Sequence, residues 1–170
     1  QSANKKHLNE ILDIEKTVFT KPWTREQLQN DLMLSANSEN WVYMEDQQVA
    51  GYILWWKVMD AFHLNNIAVH SDFQRRHIGW SLIQHVINRL QSKNIQRIHL
   101  EVSWKNKPAQ QLYKSMGFQK KGLRMDYYEK GDYALEYIPT QQWFIDILNQ
   151  QDTLLQLADE IDWKPHYMKK

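Results

Sequence analysis

QRRHIGWSLI, Gln74 to Ile83, is a basic turn that runs straight into an amphipathic helix. The first amides of a helix lack a carbonyl partner within it and lie at the positive end of its dipole, so such a turn suits a pyrophosphate. Glycine lets backbone and ligand approach closely, yet only Gly79 is present, and His77 stands where turns of this kind carry another. Amides rather than side chains would do the binding, so His77 is tolerated if its φ stays negative. A positive φ would cost about 1 kcal/mol. Arg75 and Arg76 can offset part of that by pairing with phosphate oxygens. The plainer alternative is a solvated cap on a basic helix start.

The second stretch is LEVSWKNKPAQQLYKSMGF, Leu100 to Phe118, which holds a carboxylate (Glu101), an amide (Asn106) and a phenol (Tyr113). Taken alone, Glu101 reads as an exposed strand residue, Asn106 as the N-cap of a helix from Lys107, and Tyr113 as a helix residue packed on the core. His63, His70, His77, His85 and His99 have no convergent spacing with carboxylates, so no metal is expected.

These residues need elements to position them. Leu8, Ile11, Ile14 and Phe19 mark one helix and Thr24 with Gln27 the capping box of a second. Period-two strands follow in WVYME, VAGYILWWKV and FHLNNIAV. Ile78, Leu82, Ile83, Val86, Ile87 and Leu90 predict a long helix, RIHLEV a strand, Lys107 to Met116 a helix ended by Gly117, and two further strands run to Ile138. The order α-α-β-β-β-α-β-α-β-β, with a strand-helix-strand unit inside an antiparallel sheet, makes a mixed α/β or α+β fold. Pro139-Thr140 marks a boundary. Residues 1–139 read as one domain and 140–170 as a helical extension packed on it, with a partner or dimer surface as the alternative use of that tail.

At 170 residues one domain is the default. Twenty-one basic and twenty acidic residues nearly cancel, so no global field favours nucleic acid or a membrane surface. With no cysteine there is no disulfide, thiolate zinc site or Cys nucleophile, which fits a reducing, cytoplasmic setting. The polar start QSANKKHLNE lacks the apolar segment of a secretory signal, so export is not expected.

Ile67-Ala68-Val69, the Gln74–Gly79 turn, Leu100-Glu101-Val102, Asn106 and Leu112-Tyr113 through Gly117-Phe118 stand in an order and spacing that resemble the GNAT N-acetyltransferases. FTKPW and RMDYYEKGDYA extend the likeness over roughly His7 to Ile138. This chain departs from the family pattern at His77, at Trp80 where Arg is frequent, at Asp126 for Asn and at Glu129 for Pro.

The resemblance implies a mostly antiparallel sheet splayed at its central strands, and acetyl transfer from acetyl-CoA to an amine without an acyl-enzyme. It implies that Ile67, Ala68 and Val69 meet the pantetheine arm. Arg75, Arg76, His77, Ile78, Gly79 and Trp80 would hold the pyrophosphate, and Asn106 would contact CoA. Glu101 would be the general base and Tyr113 the acid that protonates the departing thiolate. Pro22, Trp23, Tyr127 and Tyr128 would flank the acceptor. An α-amine of pKa about 7.7 to 8.0 is easier to prepare for attack than lysine at about 10.4. The expected acceptor is a protein N-terminus, above all the N-terminal alanine of a small-subunit ribosomal protein, and the expected state a monomer or weak dimer. A lysine or small-amine acetyltransferase, or a non-catalytic acetyl-CoA-binding module, are the alternatives.

Overall fold

Two helices open the chain, as the periodicity predicts. Helix α1 (Leu8–Val18) buries Leu8, Ile11, Leu12 and Ile14, and α2 (Arg25–Met33) starts on the predicted capping box. Thr24 N donates to Gln27 Oε1 at 2.8 Å and Gln27 N to Thr24 Oγ1 at 3.2 Å. The computed structural model describes residues 1–33, 38–59, 61–92, 97–130 and 132–139. The expected C-terminal helical extension, 140–170, lies outside the described residues.

The chain divides into two compact units, Gln1–Ile98 and His99–Lys170. In the first, β1 (Trp41–Glu45), β2 (Gln48–Val58) and β3 (Ala61–Val69) form an antiparallel meander. Asp46 and Gln47, at φ 48° and 66°, give the β1–β2 hairpin the paired positive φ values that match strand twist. Helix α3 (Ile78–Ser92) buries Ile78, Leu82, Ile83, Val86, Ile87 and Leu90, the face its spacing predicts. Ile11, Ile14, Leu28, Tyr52 and Leu54 belong to a buried hydrophobic cluster between α1, α2 and the meander.

Strand β4 (Arg97–Ser103) carries the chain from one unit into the other. Its alternation buries Ile98, Leu100 and Val102 and leaves His99, Glu101 and Ser103 on the opposite face. Helix α4 (Lys107–Ser115) follows, capped by Asn106, whose Oδ1 accepts from Ala109 N at 3.1 Å. Gly117, at φ 80°, ends it in the left-handed region, as a helix-terminating glycine should. Strand β6 (Asp132–Pro139) pairs antiparallel with β4 on one side and with β5 (Phe118–Glu129) on the other. The predicted order of elements is the observed one, and the fold is mixed α/β.

Candidate active site

Val69 ends β3, and a short 3-10 turn, Ser71–Phe73, leads to the basic segment. Gln74 folds back, its Nε2 donating to Val69 O at 3.1 Å, so the strand end and the turn are tied together. Arg75 has φ 64° and His77 φ 57°. Position 77 therefore uses a glycine's backbone, which settles the sign of φ that the residue types left open in favour of the costlier case. The physical reason lies in the next residue: α3 begins at Ile78, and the chain must reverse sharply to enter it. Left-handed residues flanking helical ones turn successive amides inward, a concavity suited to anions. The amides of Ile78, Gly79 and Trp80, in the first turn of α3, have no carbonyl partner inside the helix.

The side chains of this turn do different work. Ile78 and Trp80 are buried, so only their amides can meet a ligand. The Arg76 guanidinium lies over the Phe73 ring and pairs with Glu45, Nη1 to Oε1 at 2.5 Å. An exposed pair of this kind is worth about 0 to 1 kcal/mol, so a phosphate can displace it. Histidine is among the better-tolerated non-glycine residues at positive φ, and a β-branched residue among the worst. Accordingly His77→Val is expected to lower the unfolding free energy by about 1 kcal/mol, whereas His77→Gly does not lower it. Thermal melts of the two variants check this; equal losses would mean that the left-handed backbone is not the cause.

In the second unit Glu101 sits on the partly exposed face of β4, directly across from Glu136 of β6. Like charges directly opposed on neighbouring strands destabilise. Arg124 of β5 stands between them, with Nη1 3.0 Å from Glu101 Oε1 and Nε 2.6 Å from Glu136 Oε1. Tyr127, 46% exposed, packs its ring under the same guanidinium, 5.6 Å from the ring centre. Its hydroxyl pKa is pushed up, first by a hydrogen bond to Glu101, then by burial and by the charge of Glu101. Glu101 and Tyr127, picked from separate stretches of sequence, are thus brought together. Asp126, at φ 51°, lies in the irregular stretch of the β5–β6 ladder between Arg124 and Glu129, a left-handed backbone that Asp, like Asn, tolerates better than most residues.

Tyr113 is 2% exposed and packs edge-on against Phe118, with Tyr137 at a similar distance. Its ring is core, as its helical spacing alone suggests. Asn106 serves as the cap; its Oδ1 is used there, while an amide side chain keeps its N–H donors for a ligand.

The segment expected to flank the acceptor is anchored from below. Pro22 is exposed, and Trp23 is partly buried against the apolar cluster. The Glu15 carboxyl, fully buried, accepts from Trp23 N at 2.6 Å, from Asn66 Nδ2 at 2.8 Å and from the Tyr52 hydroxyl. One side chain so ties the Trp23 segment to β3, one residue before Ile67. Burial and the adjacent Glu15 push the Tyr52 hydroxyl well above its ordinary pKa, keeping it a donor. Glu15 was not singled out in the sequence, although a glutamate three and four residues beyond Leu12 and Ile11, on the apolar side of α1, is a readable signal.

Asp31 was also missed. It is 5% exposed, and Asn65 Nδ2 donates to its Oδ2 at 2.6 Å. Burial pushes its carboxyl up to about 6 from 3.8, against the pull of that hydrogen bond. The folded state therefore holds this proton more tightly than the unfolded chain. Stability from this group is greatest below pH 4 and falls as pH rises through 4 to 6. Asp31→Asn is expected to gain stability at pH 7 relative to wild type and to show no gain at pH 4, in melts at both values.

Among the described residues no cluster of His, Asp and Glu could hold a metal, and no helix is long and apolar enough to cross a membrane.

Residues 8–118 match the Acetyltransferase (GNAT) family. The chain belongs to the GNAT family. Among its relatives, a Bacillus subtilis (strain 168) protein, provisionally named a ribosomal protein bS18-alanine N-acetyltransferase, is 33% identical over 129 residues, 75% of this chain and 85% of that one. The ribosomal protein bS18-alanine N-acetyltransferase of Haemophilus ducreyi is 31% identical over 128 residues, 75% and 87% of the two chains. The crystal structure of the Escherichia coli ribosomal-protein-S18-alanine N-acetyltransferase superposes with a TM-score of 0.76 at 26% identity, covering 82% of this chain and 90% of that one. This GNAT chain is an acetyl-CoA-dependent N-acetyltransferase.

Proposed function

We propose that this GNAT enzyme acetylates the N-terminal amine of a protein, specifically the N-terminal alanine of a small-subunit ribosomal protein. Glu101 acts as general base and Tyr113 as general acid. The observation that carries the reading is the Glu101 carboxylate on the partly exposed face of β4, beside the hydroxyl of Tyr127, a residue of the acceptor-side stretch. The names of relatives at 31–33% identity supply the acceptor class.

The acceptor nitrogen attacks the thioester carbonyl carbon, and the carbon–sulfur bond breaks. Glu101 takes the nitrogen's proton, directly or through one water, and the Tyr113 hydroxyl gives a proton to the departing sulfur. Direct transfer suits a chain without cysteine, since no acyl-enzyme is needed. The α3 amides at Ile78 to Trp80, with Arg75 and Arg76, favour a pyrophosphate; Ile67, Ala68 and Val69 offer main-chain groups to the arm, and Asn106 an amide. Pro22, Trp23, Tyr127 and Tyr128 bound the acceptor.

The test is acetyl transfer to a peptide with the alanine-first terminus of such a ribosomal protein, against an N-terminally blocked peptide containing lysine. Transfer to the first is expected. Transfer to the blocked peptide alone would overturn the N-terminal reading in favour of a lysine acetyltransferase.

A further inference from the structure

Arg124 lies in none of the roles assigned so far, yet it spans two carboxylates with two different guanidinium nitrogens. Its second partner, Glu136, faces Gly122 across the β5–β6 ladder. A Cβ at position 122 would collide with Glu136 Oε2, so the glycine is what leaves room for that carboxylate to lie over β5. The arrangement is a chain of dependence. Gly122 admits Glu136, Glu136 fixes the Nε side of Arg124, and the Nη1 side of Arg124 fixes Glu101.

We propose that Arg124 is a positioning residue: held by Glu136 over Gly122, it sets the orientation of the Glu101 carboxylate for proton abstraction. This rests on the reading of Glu101 as the base. A guanidinium suits the task because it is a rigid planar fork that can bind two acceptors at fixed angles, whereas a lysine ammonium is a single point on a flexible stem. The arrangement also offsets the repulsion between Glu101 and Glu136, which a direct cross-strand pair would otherwise suffer. Arg124 and its partners on β4 and β6 are the charged groups of this cluster, and Tyr127 completes it with a neutral donor.

The test uses the full chain, acetyl-CoA and the alanine-first peptide, with kcat, KM for each substrate and the thermal midpoint measured throughout. Arg124→Gln is expected to lower kcat by about 10- to 100-fold, the scale of a misplaced catalytic group, with both KM values within twofold of wild type. Arg124→Lys keeps the charge but not the fork, and is expected to recover little of the loss. Gly122→Ala meets only the far end of a flexible side chain, so it keeps the fold while displacing Glu136, and kcat falls in the same direction. Glu101→Gln with Arg124→Gln is expected to be no slower than Glu101→Gln alone, because a residue acting through another adds nothing once that other is gone. Multiplying losses in the double variant, a raised peptide KM at unchanged kcat, or wild-type kcat in Arg124→Gln beside a slow Glu101→Gln would each overturn the positioning role. Wild-type kcat in Glu101→Gln would instead remove the base assignment itself, and this inference with it.

Discussion

Replacing Glu101 by Gln is expected to lower turnover by about 100- to 10,000-fold, the contribution of a positioned general base. The change is nearly isosteric. Gln keeps an acceptor oxygen for Arg124 or Tyr127 but cannot take up a proton at neutral pH, so the loss isolates proton transfer from packing. Acetyl-CoA affinity and the thermal midpoint should stay close to wild type, since Glu101 lies on the partly exposed face of β4. Tyr113→Phe is the companion. Tyr113 is buried beside Phe118 and Tyr137, and phenylalanine keeps that packing, so a loss of turnover without a loss of stability would belong to the hydroxyl. Steady-state rates with the alanine-first peptide and one melt per variant decide both; wild-type rates would overturn the assignment.

The largest effect on stability is expected at Glu15. Glu15→Ala removes the acceptor for the Tyr52 hydroxyl, the Asn66 amide and the Trp23 main-chain N–H. Tyr52 is fully buried, so its hydroxyl cannot turn to water, while Trp23 and Asn66 are only partly buried and can recover some hydration. Orphaned buried donors cost about 1–3 kcal/mol each, so a total near 3 kcal/mol is expected. For a chain of this size that is roughly a 6–12 °C fall in the thermal midpoint. The same substitution unties the Trp23 segment from β3. The peptide KM should therefore rise more than the KM for acetyl-CoA, measured below the new midpoint. A change in stability with both KM values unmoved would make Glu15 a purely structural residue.

The secondary elements were largely legible before the structure because each rests on local chemistry. The α3 face from Ile78 to Leu90, the Thr24–Gln27 box, the Asn106 cap and the Gly117 stop are all fixed by residues within a turn or two of one another. Glu101 and Tyr113 were singled out for another reason, the spacing they share with a family, and their proposed roles rest on that likeness. Arg124 stood inside a recognised stretch but had no role, because its role depends on Glu136, twelve residues on and across a strand pair. Glu15 and Asp31 were hidden similarly: their partners Asn66 and Asn65 lie 51 and 34 residues away.

The QRRHIG turn shows where the division falls. Residue types alone determined that this is a basic helix start with one glycine, and that any anion would be met by amides. They left open the backbone of His77, because φ at a turn is dictated by where the strand before and the helix after must lie. Tertiary structure decided it at 57°, and likewise decided that Arg76 pairs with Glu45 and that Trp80 is buried. Local pattern determines which groups are present and on which face. Only the packed chain determines which of them meet, since that depends on closures across tens of residues that no short stretch encodes.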